Sequence, residues 1–110
     1  MTGKRLKFPA VIARGEPFLY FNAAAVKYIT SPHIEVKETS DMVLFIPSNI
    51  SVNPKVVIKR SAGREITVRA LYEKRTIREG DVFKLYRMPS GTIAIKKHEP
   101  IMRKETARDA

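Results

Sequence analysis

Cysteine and tryptophan are absent from this chain of 110 residues, glycine occurs five times and histidine twice. Without cysteine there is no disulfide framework and no thiolate metal site, a composition that suits a reducing compartment. Long apolar runs are missing as well. Behind the basic residues 1–7 the apolar stretch covers only residues 8–13, with Pro9 inside it and Arg14 ending it. That is too short for a signal-peptide core, and nothing approaches the roughly 18 apolar residues of a membrane span. The expectation is a soluble cytoplasmic protein with no membrane partner and no cofactor. At 44% hydrophobic residues the chain has enough apolar material for one small core, or for two small halves sharing one.

Negative charge is the other scarcity. Eleven Asp/Glu stand against twenty-one Lys/Arg, a formal net charge of +10. The imbalance is uneven: residues 1–54 hold six basic and four acidic side chains, whereas residues 55–110 hold fifteen and seven. A basic excess concentrated in one half is the footprint of a polyanion-binding face.

Alternation and turn residues divide the chain into two similar halves. In the first, strands are expected at 7–13 and 18–21 around the turn Arg14-Gly15-Glu16-Pro17. Asn22 is suited to cap a short helix over 23–28 that ends before Ser31-Pro32. Strands at 34–38 and 42–46 then flank Thr39-Ser40-Asp41. Pro47-Ser48-Asn49 and Asn53-Pro54 mark the joint. The second half repeats the order, with strands at 55–59 and 65–69 around Arg60-Ser61-Ala62-Gly63 and a helix of one or two turns over 70–75. A hairpin of 82–87 and 92–97 follows, around Met88-Pro89-Ser90-Gly91.

Superposing the halves, Ile34 and Val36 match Phe83 and Leu85. Val43 and Phe45 match Ile93 and Ile95 after one inserted residue, and Gly15 matches Gly63. The pattern reads as an internal duplication. About fifty residues of short strands leave too much edge and too little core for either half alone. The halves are therefore expected to interleave as two subunits of a homodimer would.

Gly63-Arg64-Glu65-Ile66-Thr67-Val68, Leu71, Ile77-Arg78-Glu79-Gly80-Asp81, Phe83-Lys84-Leu85-Tyr86 and Ile93-Ala94-Ile95-Lys96-Lys97 resemble the AbrB/MazE-type swapped-hairpin DNA-binding family. The likeness covers about 40 residues, with a weaker second copy over 7–46. The segment Tyr20-Phe21-Asn22-Ala23-Ala24-Ala25-Val26 is also loosely similar to small bacterial mobile-element proteins. The resemblance implies an α+β, mostly β fold of two βαββ halves in a pseudo-symmetric, AbrB-like swapped-hairpin barrel. The first half would be residues 1–54, the basic second half 55–100, and 101–110 a charged, frayed tail. It implies a non-enzymatic DNA-binding protein in transcription regulation or an antitoxin, from a bacterial, phage or mobile-element system, acting as a single-chain pseudo-dimer or pairing again as a homodimer. Arg64 is the contact residue carried over most directly. Tyr72 and Glu73 stand where the family's usual basic positions fall, Val68 where a proline is common, and Glu16 where the first copy would have its arginine. The tail has Arg103, Lys104 and Arg108 against Glu105 and Asp109, unlike the acidic or apolar tail of an antitoxin.

The candidate contact residues are Lys59, Arg60, Arg64, Arg69, Lys74, Arg75 and Arg78, all within twenty residues. Contact with a nucleic-acid backbone needs several cations on one face, and arginine also reads guanine edges bidentately. The same residues fit a solvated face with ion pairs to Glu65, Glu73 and Glu79. A protein-binding accessory or inhibitor acting on a nucleic-acid-handling partner is the main alternative. RNA binding is a third, through stacking on Tyr72, Tyr86, Tyr20 or Tyr28, although such tyrosines more commonly edge a core. His33 and His98 have no ligand spacing around them. No nucleophile–histidine–acid grouping or glycine-rich phosphate loop is present, so neither a catalytic nor a metal site is expected.

Overall fold

The computed structural model describes residues 7–48 and 55–101. Among the described residues ten strands form two five-stranded antiparallel sheets. Sheet A has the order β6-β7-β2-β1-β8, made of β1 (Ala10–Gly15), β2 (Phe18–Phe21), β6 (Ile58–Arg60), β7 (Gly63–Thr67) and β8 (Val82–Lys84). Sheet B has the order β5-β3-β4-β10-β9, made of β3 (His33–Glu38), β4 (Met42–Pro47), β5 (Lys55–Val56), β9 (Tyr86–Arg87) and β10 (Ile93–Lys96). Among the described residues no helix is long and apolar enough to cross a membrane. The expected tail beyond Ile101 and most of the joint between the halves lie outside the described residues.

The inward faces obey the two-residue period of strands. Leu19 and Phe21 on β2, Val43 and Phe45 on β4, and Ile93 and Ile95 on β10 are all buried. The rings of Phe21 and Phe45 meet edge to face, with centroids 5.1 Å apart and planes at 85°, and so join the two layers at the centre of the core. Burying a side chain of this size contributes about 2–3 kcal/mol, which makes the phenylalanines the main apolar anchors.

Two segments that alternation predicts as single strands are each divided between sheets. Residues 55–59 become β5 and β6, separated at Val57, and residues 82–87 become β8 and β9, separated at Leu85. A strand leaving its sheet loses a ladder partner, and a buried N–H left unpaired is costly. Both N–H groups are satisfied from the other half: Val57 N donates to the Pro32 carbonyl at 2.9 Å, and Leu85 N to the Pro9 carbonyl at 3.3 Å.

The two short helices occupy equivalent places after β2 and β7. Residues Ala23–Tyr28 form a 3-10 helix, tighter than the α-helix their alanines favour. Asn22 caps it as expected: its Oδ1 accepts from Ala25 N and from Ala10 N, both at 3.1 Å, and its Nδ2 donates to the Phe8 carbonyl at 2.9 Å. The cap therefore also ties the helix to the entry of β1. Helix α1 (Arg69–Glu73) buries Leu71 and Tyr72 and exposes Arg69 and Glu73.

The hairpin pairings correct one proposed equivalence. Gly15 closes its turn opposite Phe18, whereas Gly63 stands opposite Arg60. The position corresponding to Gly15 is thus Arg60, and Gly63 corresponds to Phe18. By the same register Leu19, and not Glu16, corresponds to Arg64.

Candidate nucleic-acid interface

Strands β6 and β7 position the first group of cations. Strand β6 is the edge of sheet A, and all three of its residues are exposed. Lys59 stands directly opposite Arg64 in the ladder. Two like charges in that position repel, so an anion between them would relieve a standing cost. Arg64 Nη1 donates to its neighbouring Gly63 carbonyl at 2.9 Å, which fixes the guanidinium close to the strand. Arg60 is committed elsewhere: its Nε donates to Glu65 Oε1 at 3.0 Å, and the Glu65 side chain is only 9% exposed. Gly63 leaves room for the Tyr20 ring and the Phe21 carbonyl, both of which a Cβ would strike. Arg14 covers Tyr20 at 4.2 Å from the ring centroid.

Helix α1 and the loop after it position the second group. Arg69 opens the helix, and Arg75 follows it with φ 62, in the left-handed region that a non-glycine residue seldom adopts. That turn is closed by Arg75 N donating to the Tyr72 carbonyl and Thr76 N to the Leu71 carbonyl, at 3.0 and 2.9 Å. Arg78 is exposed, and its backbone N–H donates to Asp81 Oδ2 at 3.1 Å, a local turn bond. Lys74, in contrast, is joined to Glu38 on β3.

Glu38 gathers three partners from the second half. Besides Lys74 it meets Lys97 Nζ at 3.3 Å and accepts from Thr76 Oγ1 at 3.2 Å. The hydrogen bond from Lys74 is the largest influence on its carboxyl, and with Lys97 it outweighs partial burial and holds the pKa below 4.5. Lys74 is accordingly part of a structural clamp between halves.

Of the seven expected contact residues, Arg60 and Lys74 are thus engaged in ion pairs. Arg64 lies on β7 near its start, whereas Arg69 opens α1 beyond its end. Among the described residues, Lys59, Arg64, Arg69, Arg75 and Arg78 have no carboxylate within ion-pair distance, whereas Arg60 and Lys74 do. If all five meet phosphates, the slope of log K against log salt is about −4 to −5.

Tyr72 is not a stacking residue. It is 9% exposed, and its hydroxyl donates to the Phe18 carbonyl at 2.6 Å. Other tyrosines carry cations that the sequence did not bring forward. Lys96 and Lys84 lie 4.9 and 5.6 Å from the Tyr86 centroid, and Arg87 and Lys27 lie 5.0 and 5.3 Å from that of Tyr28. The only hint in the sequence is Lys84-x-Tyr86, a spacing that puts both on one side of an extended segment. Lys96 arrives through the pairing of β10 with β9, which brings Ala94 opposite Tyr86.

No group of three or more His, Asp or Glu among the described residues is arranged to hold a metal ion. Compared with models of known families, with characterised proteins and with solved structures, the chain has no match.

Proposed function

We propose that this chain is a non-enzymatic DNA-binding protein, a transcriptional regulator of a bacterial, phage or mobile-element system, and that its second half carries the contact. The observation behind this reading is the set of five exposed or half-exposed cations, Lys59, Arg64, Arg69, Arg75 and Arg78, that lack an acidic partner among the described residues. They flank β7 at both ends, a separation suited to two stretches of phosphate backbone. The pairings support a pseudo-symmetric swapped-hairpin barrel as the scaffold. Hairpin β1–β2 joins hairpin β6–β7 through β2 and β7, and hairpin β3–β4 joins β9–β10 through β4 and β10. The sheet-crossing bonds Val57–Pro32 and Leu85–Pro9 also link the halves, both donated by the second half to carbonyls of the first.

Fluorescence anisotropy with random duplex DNA, titrated in salt, tests the reading. Affinity that falls steeply with salt and is lost in Arg64→Glu/Arg75→Glu is the expected result. No duplex binding at low salt overturns it and directs attention to a protein partner for the same face.

A further inference from the structure

We infer that edge strand β9 is a second nucleic-acid surface, one that takes unpaired bases. It rests on the preceding reading only for the class of ligand, since none of the residues involved belongs to the β6–α1 contact. Successive side chains of β9 point to opposite faces of sheet B. On one face the ammonium groups of Lys84 and Lys96 both approach the Tyr86 ring, at 5.6 and 4.9 Å from its centroid. On the other, Arg87 reaches over Tyr28 beside Lys27. A groove of about 410 Å³ opens there, between Tyr28, Arg87, Met88, Pro89 and Thr92.

The chemistry of both faces suits one strand. Each presents a ring for stacking and two cations for the phosphates on either side of a stacked base. No carboxylate lines the groove, and among the described residues none of Lys27, Lys84, Arg87 and Lys96 is in an ion pair. A lysine over a half-exposed ring such as that of Tyr86 is held more weakly than a stacked base. A base can therefore displace the ammonium groups from Tyr86 and leave them to meet phosphate. Duplex bases are already stacked on one another, so these rings select an unpaired strand. The 2′-hydroxyl is the feature that would separate RNA from single-stranded DNA here.

Because the chain has no tryptophan, its intrinsic fluorescence comes from tyrosine, and stacking quenches it directly. Binding of a twelve-residue oligo-dT, an oligo-U of the same length and a twelve-base-pair duplex is measured for the full chain and its variants. Tyr86→Ala and the groove variant Arg87→Ser are each expected to weaken single-strand binding roughly ten-fold and leave duplex binding unchanged. Tyr86→Phe, which keeps the ring, should bind as the parent does and shows that a loss in Tyr86→Ala is not misfolding. Preference for oligo-U assigns the strand as RNA, and equal binding assigns a surface indifferent to the sugar; both support the inference. It is overturned by absence of single-strand binding at low salt, by undiminished binding in both Tyr86→Ala and Arg87→Ser, or by equal losses for duplex and single strand. Loss of duplex binding alone in Arg64→Glu/Arg75→Glu separates the two surfaces. A chain that binds only single strands, through Tyr86, leaves this inference standing while the duplex reading fails.

Discussion

The hydroxyl of Tyr72 donates a 2.6 Å hydrogen bond to the backbone carbonyl of Phe18, 54 residues earlier in the chain. This one bond pins α1 of the second half against β2 of the first. Burial pushes the phenol up to about 12, against the opposing pull of the Gly15 backbone, and the nearby carboxylates of Glu79, Glu16 and Asp81 add to the rise. The folded state thus holds the proton more tightly than the unfolded chain, whose tyrosine titrates near 10. The stability this contributes is complete below pH 10 and is lost as pH rises through about 12. Denaturant melts of the parent should show a fall across that window. Tyr72→Phe should start about 1 kcal/mol lower at neutral pH and lack that part of the alkaline fall.

Glu38 gives the opposite dependence. Its depressed carboxyl contributes stability above pH 4.5 that is lost as pH falls through the folded value. Replacing it by Gln leaves Lys74 and Lys97 without a counter-charge. The expected loss is about 1 kcal/mol at neutral pH, with a flatter acid limb, measured by urea unfolding between pH 3 and 7. Equal acid sensitivity in parent and variant would show that the clamp carries no weight.

Gly15 and Gly63, which sequence superposition would equate, should respond in opposite ways to alanine. A Cβ at Gly15 meets open space, whereas one at Gly63 strikes the Tyr20 ring and the Phe21 carbonyl. Gly15→Ala is expected within about 0.5 kcal/mol of the parent. Gly63→Ala should cost about 1–3 kcal/mol, since a backbone carbonyl cannot step aside as a flexible side chain can. Thermal melts of the two variants decide the matter.

Cations of one strand should likewise divide by role. Lys59→Ala is expected to lower the salt slope of duplex binding by about 1 while leaving the melting temperature unchanged. Arg60→Ala, next to it, leaves the nearly buried Glu65 carboxylate without its partner. It should cost about 1–2 kcal/mol of stability and change the salt slope little. If both variants alter binding alike, the division drawn between contact and structural cations is wrong.

Local signals in the sequence were dependable where one hairpin sufficed to express them. The match of Val43 and Phe45 to Ile93 and Ile95 agrees with the antiparallel register of β4 and β10, where Val43 stands opposite Ile95 and Phe45 opposite Ile93. Phe83, in contrast, matched to Ile34 of β3, lies on β8 in sheet A. Asn22 caps its helix because a short amide beside an alanine run needs only neighbouring backbone to do so. Gly15 and Gly63 were misaligned because a glycine looks the same whether a turn requires it or a distant ring lies across it. The division of Lys74 from Arg75 was illegible too. Adjacent basic residues are alike until Glu38, 36 positions earlier, is brought beside one of them.

By itself the sequence determined the strand periodicity, the turns, the cap, the repeated order of elements and the basic excess of the second half, because alternation and turn chemistry act over a few residues. Tertiary structure alone decided where two strands leave one sheet for the other at Val57 and Leu85. It also decided which cations are spent on Glu38 and Glu65, and which rings gather lysines. The crossings at Val57 and Leu85 and the clamp of Lys74 on Glu38 depend on partners far apart in the chain, Pro32, Pro9 and Glu38, which no local pattern displays.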